Sequence, residues 1–90
     1  MLYESSIQKA NLIMNLRSMG ISSNNVLSAI EKIPREIFLP SAFQSYAYEN
    51  NPLPIGFEQT ISQPYIVALM TQVLSLNGNE VILEIGTGSG

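Results

Sequence analysis

"VILEIGTGSG", residues 81–90, is the stretch that decides the predicted fold class. Apolar residues stand on both sides of Glu84 without alternation, a pattern typical of a strand buried on both faces of a parallel sheet. Glycines at 86, 88 and 90 follow at once, and such a turn lets the backbone approach a ligand closely. The sequence therefore predicts the opening strand of an α/β domain and a ligand-binding turn. A tight turn without a ligand is the alternative.

Two features of this motif bear on the ligand. The dinucleotide fingerprint G-x-G-x-x-G, counted from Gly86, needs a third glycine one position after Gly90, so a nicotinamide cofactor stays an alternative. Glu84 discriminates better, because a buried carboxylate at a strand end is costly unless it is paired or hydrogen-bonded. A ligand with an ammonium or sulfonium group would pair with it. The alternative role for Glu84 is to accept backbone N–H groups of the turn.

The residues before this strand, 1–77, predict a helical N-terminal module, and 78–90 would start the α/β domain. Helices are predicted over 5–19, 22–33 and 63–76, with short helical turns within 34–40 and 41–50 and a short strand or extended loop over 57–61. The predicted helix boundaries are Ser5 or Ser6, Gly20, the cluster 22–24, Pro34 and Ser62. Because a βα unit needs a helix after its turn, we expect an N-terminal fragment, truncated at residue 90.

Composition argues against several classes of function. Four basic residues are scattered among seven acidic ones, so no surface for nucleic acid is predicted. The chain has no cysteine and no histidine, which argues against a disulfide framework and the commonest zinc sites, and no metal is expected. No apolar run approaches the ~20 residues that span a bilayer, and the N-terminus lacks a signal-peptide pattern. We expect a cytoplasmic protein with no membrane partner.

Several segments of the sequence resemble a known enzyme family, which makes the predicted fold and function more specific. The pattern of two apolar residues, Glu84, one apolar residue and Gly-x-Gly-x-Gly resembles the first motif of class I S-adenosylmethionine-dependent methyltransferases. The upstream segments "MGISSNNVLSAIEKIPREIFLP" (19–40), "AYENNPLPIG" (47–56) and "QTISQPYIVALMTQVLSL" (59–76) resemble the N-terminal half of the protein-L-isoaspartate O-methyltransferase family. The resemblance extends from about Leu12 to Gly90, and "PIG-x-x-QTISQPY" is its most specific part.

That resemblance implies a Rossmann-like methyltransferase sheet after the helical module, and a monomeric protein-repair enzyme. Members transfer a methyl group from S-adenosylmethionine to the free carboxylate of L-isoaspartyl and D-aspartyl residues in damaged proteins. It also implies that Thr60 and Ser62 are catalytic, within an active-site loop over 54–65. The residues implied to bind the cofactor are Gln59, Thr60, Ile61, Ser62, Glu84, Gly86, Thr87, Gly88, Ser89 and Gly90.

Ser62 has two candidate roles, because it also precedes the third predicted helix. An N-cap contributes about 1 kcal/mol, whereas an active-site hydroxyl would donate a hydrogen bond to the substrate carboxylate. No histidine and no G-x-S-x-G elbow is present to make it a nucleophile. The chain departs from the family at Glu58, where bacterial members usually have glycine. A side chain there restricts the backbone, which puts the loop conformation and substrate preference in question.

Three alternatives are kept beside the family reading. The first is a class I methyltransferase with a different acceptor. The second is a non-catalytic truncated helical module, because one strand and a glycine turn do not enclose a cofactor. The third is a nicotinamide-dependent dehydrogenase, which "QTISQPY" argues against. The 90-residue chain alone is expected to be inactive.

Overall fold

The computed structural model describes residues 2–90, and side chains from Ser5 onward. Its elements follow one another as three helices, two 3₁₀ helices and a β-hairpin placed before the last helix. In chain order they are α1 (Leu2–Ser18), α2 (Asn24–Lys32), the 3₁₀ helices Arg35–Phe38 and Ser41–Tyr46, β1 (Leu53–Gly56), β2 (Gln59–Ile61) and α3 (Pro64–Val73). No helix within these residues is long and apolar enough to cross a bilayer.

The end of α1 follows directly from its sequence. Gly20 has a φ of +101°, a left-handed conformation that favours glycine. This lets the Ile21 N–H donate to the Leu16 carbonyl at 3.0 Å, and the Gly20 N–H to the Arg17 carbonyl at 3.1 Å. The predicted stop is confirmed. The predicted start is wrong, because the helix begins at Leu2 and residues 5 and 6 lie inside it.

Both predicted ends of α2 are confirmed. The Ser23 hydroxyl accepts the Val26 N–H at 3.3 Å, which satisfies one of the free donors of the first turn. Ile33 is the C-terminal cap and is extended, as the proline after it requires. Two short 3₁₀ helices then follow in the segments where helical turns were expected.

The core lies where the helices and the 3₁₀ segments meet. α2 packs against both α1 and α3. The buried side chains are Leu12, Leu16, Ile21, Leu27, Leu39, Ala47, Tyr48 and Ala68. At the far end of α3, the Gln72 Oε1 accepts the Ser22 N–H at 2.9 Å and the Ser23 N–H at 2.8 Å. One amide side chain therefore ties α3 to the α1–α2 connection.

The segment predicted as a short strand forms half of an antiparallel hairpin. Leu53 pairs with Ile61, Pro54 with Thr60, and Gly56 with Gln59, with a bulge in β1. Phe57 and Glu58 make the two-residue turn with φ of +55° and +57°. Both positive φ values are those of a type I′ turn, whose usual residues are asparagine, aspartate and glycine. Glu58 thus occupies a conformation that costs a side-chain-bearing residue about 1–2 kcal/mol.

The N-terminus of α3 corrects the capping prediction for Ser62. Gln63, not Ser62, is the N-cap, and its side chain makes no capping hydrogen bond. The Tyr65 N–H of the first turn instead donates to the Asn50 Oδ1 at 2.9 Å. The Asn50 Nδ2 donates in turn to the Asn15 Oδ1 of α1 at 3.1 Å. The cap is therefore supplied by a residue fifteen positions earlier in the chain.

The strand predicted over 81–86 is not formed, which is a further correction. These residues have no strand partner in the described part of the chain. Leu83 is 85 % exposed and Ile85 is 89 % exposed, although burial on both faces was expected. A parallel strand needs neighbouring strands that pair with its backbone and helices that cover both of its faces. Among residues 2–80, no strand pairs with 81–86 and no helix covers them.

Replacing Asn50 with alanine is expected to destabilise the protein by about 1–2 kcal/mol, because the half-buried Tyr65 N–H loses its acceptor. Urea unfolding measures the change, and hydrogen exchange at Tyr65 locates it. Asn51→Ala is the matched control, since Asn51 is exposed and only its backbone N–H is hydrogen-bonded in the structure. Equal losses in the two variants would contradict the capping role.

Replacing Glu58 with glycine is expected to stabilise the protein by about 0.5–1 kcal/mol, since glycine adopts a positive φ without steric cost. Thermal or urea unfolding measures the gain. Glu58→Ala separates strain from charge, because alanine removes the carboxylate and keeps the Cβ. The expected order of stability places glycine above both alanine and glutamate. If alanine matches glycine, backbone strain is not the cause.

Candidate functional site

The hairpin presents most of the predicted "QTIS" residues to solvent. Gln59, Thr60 and Ser62 are exposed, whereas Ile61 is half-buried and packs against the core. Because successive side chains of a strand point to opposite faces, alternation separates Ile61 from its neighbours Thr60 and Ser62. It does not account for Gln59, which shares the face of Ile61 and is exposed. Ile61 therefore fixes the segment, and its polar neighbours Thr60 and Ser62 are free to meet a ligand.

Ser62 is held through its backbone and not through its hydroxyl. Its carbonyl accepts a hydrogen bond of 2.8 Å from a terminal guanidinium nitrogen of Arg35. Its hydroxyl makes no hydrogen bond to the described residues, and α3 does not use it as a cap. The arrangement can offer one hydroxyl to a bound carboxylate without breaking an existing bond.

Arg35 is the residue at this site that the sequence analysis missed. It is half-buried, and its Nε has no hydrogen-bond partner among the described residues. Burial lowers the pKa of its guanidinium from the ordinary value, while the charge interaction with Tyr48 opposes that shift. The only signal in the sequence is the position of Arg35 just after Pro34, in a segment bounded by prolines.

Tyr48 fixes the backbone of Arg35. The Arg35 N–H donates to the Tyr48 hydroxyl at 3.2 Å, and that hydroxyl donates to the Glu36 carboxylate. Burial raises the pKa of Tyr48, and its hydrogen bond to Glu36 raises it further, so the phenol stays protonated and remains a donor at neutral pH. A chain of hydrogen bonds thus runs from Glu36 through Tyr48 and Arg35 to Ser62.

The glycine turn packs against the hairpin and the first 3₁₀ helix. Gly90 has a φ of +139°, and a Cβ there would lie 2.6 Å from two carbons of the Phe38 ring. A Cβ on Gly88 would lie 3.4 Å from the Cδ1 of Ile55. The turn therefore approaches Phe38 more closely than any residue with a side chain could.

Glu84 lies beside the turn and is exposed, whereas the sequence predicted a buried carboxylate. Its carboxylate accepts a hydrogen bond from the Thr87 hydroxyl. The difference has the same cause as the missing strand, since no neighbouring strand or helix in the described residues covers it. The carboxylate remains accessible to a cationic ligand.

One residue from each predicted segment, Ile61 of "QTIS" and Gly90 of the glycine turn, lines a cavity of about 370 Å³. Ile61 and Arg35 line it from the hairpin side, and Gly90 lines it from the glycine turn. Most of the other lining residues are apolar and come from α2 and α3. The other predicted residues, Gln59, Thr60, Ser62, Glu84, Gly86, Thr87, Gly88 and Ser89, do not line this cavity. No hydrogen bond joins the two segments within the described residues.

The glycine turn leaves its backbone and the Glu84 carboxylate open to a ligand. No atom lies within 4 Å of the point where a Cβ on Gly86 would stand, so ligand atoms can approach the backbone there. The exposed Glu84 carboxylate can pair with an ammonium group or accept from a hydroxyl. Among the described residues, no group of three or more histidine, cysteine, aspartate or glutamate side chains is placed to hold a metal ion.

Comparisons with known proteins give a consistent result. A family model described as protein-L-isoaspartate(D-aspartate) O-methyltransferase matches residues 7–90. Proteins named protein-L-isoaspartate O-methyltransferase from Dictyoglomus turgidum, Rhodospirillum rubrum and Photobacterium profundum are 60 %, 57 % and 53 % identical to the chain over 83 residues. Each alignment covers 92 % of this chain.

The same alignments cover 38 %, 38 % and 40 % of those three relatives, so the chain spans about two fifths of their length. The family read from "QTISQPY" and the glycine motif is confirmed by the match over 7–90. The helical module with a small hairpin is consistent with the N-terminal part of the α/β class that the sequence predicted. The chain belongs to the protein-L-isoaspartate(D-aspartate) O-methyltransferase family.

Proposed function

We propose that this chain, in a protein of its relatives' length, contributes to methyl transfer from S-adenosylmethionine to the free carboxylate of L-isoaspartyl and D-aspartyl residues in damaged proteins. The observation that carries the proposal is the family match over 7–90, which includes both the "QTIS" segment and the glycine turn. Relatives that carry the isoaspartate name are up to 60 % identical over the aligned region.

The chemistry proposed is compatible with the residues present. The cofactor would supply a methyl group on a sulfonium sulfur. The acceptor carboxylate is ionised at pH 7 and is itself the nucleophile, so no general base is required and the absence of histidine is no objection. The task left to the protein is alignment, for which effective molarities of roughly 10⁵–10⁸ M are attainable.

Ser62 and Thr60 are the residues we propose to orient the acceptor. Both are exposed on the segment that Ile61 anchors, and the Ser62 hydroxyl has no competing partner among the described residues. We propose Arg35 as the positioning residue, since its 2.8 Å hydrogen bond holds the Ser62 carbonyl. The geometry supports this role for Arg35. Its side chain is half-buried, and its backbone N–H is held by a hydrogen bond to the Tyr48 hydroxyl.

The cofactor would be held between the hairpin and the glycine turn. On the hairpin side, the residues we propose are Gln59, Thr60, Ile61 and Ser62. On the other side they are Glu84, Gly86, Thr87, Gly88, Ser89 and Gly90. The accessible carboxylate of Glu84 and the open backbone at Gly86 support this assignment.

The oligomeric state, the compartment and the partners of the protein are proposed from the same family match. We propose a monomer that works in the cytoplasm on isoaspartyl-containing proteins and peptides, without nucleic acid. The net charge of −3 and the scattered basic residues support the last point. The division into a helical module over 1–77 and an α/β domain from 78 stays a prediction.

The 90-residue chain alone is proposed to be inactive, because the exposed residues 81–90 form no sheet against which a cofactor could be enclosed. A protein extended to the relatives' length should methylate an isoaspartyl peptide and not its aspartyl counterpart, measured with labelled cofactor. Equal labelling of both peptides, or labelling of neither, would contradict the proposed substrate. Turnover by the 90-residue chain would contradict its proposed inactivity.

In the same extended protein, Ser62→Ala is expected to lower kcat/KM for the isoaspartyl peptide by about 10–100-fold, the value of a hydrogen bond to a charged group. Its stability should change by less than about 0.5 kcal/mol, since the hydroxyl does not cap α3.

Ser23→Ala is the control for that experiment, because Ser23 does cap a helix. It should cost about 1 kcal/mol of stability and leave the activity of the folded protein unchanged. A mild and equal loss of stability and activity in both variants would leave Ser62 with no role beyond local structure.

A further inference from the structure

The turn after α3 carries the one Asn-Gly pair in the sequence, Asn77–Gly78. Both residues are exposed, and so are Asn79 and Glu80 after them. Gly78 has a φ of +103° and nothing within 4 Å of the position of a Cβ. The pair is therefore open to water and unhindered on its glycine side.

Asparagine followed by glycine can lose its side-chain amide through a cyclic imide. The Gly78 nitrogen bonds to the Asn77 Cγ, the Cγ–Nδ2 bond breaks, and ammonia leaves with the proton that the nitrogen gives up. Water then adds a hydroxyl to one carbonyl carbon of the ring and a hydrogen to the nitrogen. Opening at the former main-chain carbonyl leaves an isoaspartyl link, and opening at the side-chain carbonyl leaves aspartate. Glycine favours the closure because it has no side chain to hinder the approach of its nitrogen to the Asn77 Cγ.

The carboxylate of Glu80 lies against the nitrogen that must attack. Its Oε1 accepts the Gly78 N–H at 3.0 Å, and its Oε2 accepts the Asn77 N–H at 2.9 Å. The Asn77 Oδ1 accepts the Asn79 N–H at 3.2 Å, which fixes the side-chain amide. Both partners of the reaction are thus held within one four-residue turn.

We propose that Asn77 is a deamidation site and that the Glu80 carboxylate restrains it. The attacking nitrogen must first release its proton to water, and an anionic acceptor holds that proton more strongly than a neutral one does. The negative charge also opposes the negative charge that forms on the nitrogen. Hydrogen bonds from backbone N–H groups, that of Asn77 foremost, lower the pKa of Glu80, so the carboxylate is charged at neutral pH. The reaction needs only water and is independent of the proposed methyl transfer.

The test uses the chain itself at mildly alkaline pH, with no methyl donor added. Peptide mass spectrometry follows the conversion of amide to acid at each asparagine, and chromatographic separation distinguishes isoaspartyl from aspartyl products. We expect conversion at Asn77 to exceed that at every other asparagine. In Glu80→Gln it should be about fivefold faster, the ratio that corresponds to replacing a charged acceptor by a neutral one.

Glu31→Gln is the matched control, because it makes the same change of net charge at another exposed position. It should leave the rate at Asn77 unchanged. Absence of product at Asn77, in the wild type and in Glu80→Gln, would overturn the site. Equal rates in the wild type and Glu80→Gln, or equal acceleration by Glu31→Gln, would overturn the restraint. A fall in the rate with Glu80→Gln would show that the carboxylate assists the reaction, which also overturns the restraint.

Discussion

Two amide side chains determine where α3 lies, and the candidate site depends on that placement. Asn50 accepts the Tyr65 N–H at the start of the helix, and Gln72 binds the backbone of the α1–α2 connection near its end. Both bonds join α3 to segments distant in sequence. Because β2 leads into α3 through two residues, fixing the helix also fixes Ser62. An apolar core alone would tolerate small rotations of α3, whereas directional hydrogen bonds at both ends of the helix restrict them.

The site combines a rigid part with an open part. The hydrogen bonds from Glu36 through Tyr48 and Arg35 to the Ser62 carbonyl belong to the rigid part, and they rest on the buried core. The glycine turn is open, since residues 81–90 are all exposed, although Gly88 lies close to Ile55 and Gly90 lies close to Phe38. Methyl transfer by alignment would require both parts to be rigid. In the described residues, only the hairpin side of the candidate site is tied to the core by such a chain of hydrogen bonds.

Residues close in sequence made three helix ends predictable. Contacts between residues distant in sequence decided the cap of α3 and the conformation of 81–86, and these were not predictable. The glycine stop at residue 20, the cap at Ser23 and the break at Pro34 all act within one helical turn, so their residue types are sufficient to locate them. The Ser62 cap was wrong because the acceptor came from Asn50, and no local pattern signals a partner fifteen residues away. The strand at 81–86 failed for the same reason, since strands depend on neighbours. The family was still identifiable, because the resemblance rests on residue identities along the chain and does not depend on which residues pack together.

The exposed run at 81–85 has a consequence for handling the chain. Val81, Ile82, Leu83 and Ile85 have high strand propensity and lie uncovered, with Glu84 as the one charge among them. Short apolar segments of this kind, without proline, pair readily with identical segments of other copies. Copies of Glu84 stacked in an in-register assembly would repel one another, so this charge opposes fibril growth. Replacing Glu84 with an uncharged residue would therefore favour aggregation of the 90-residue chain.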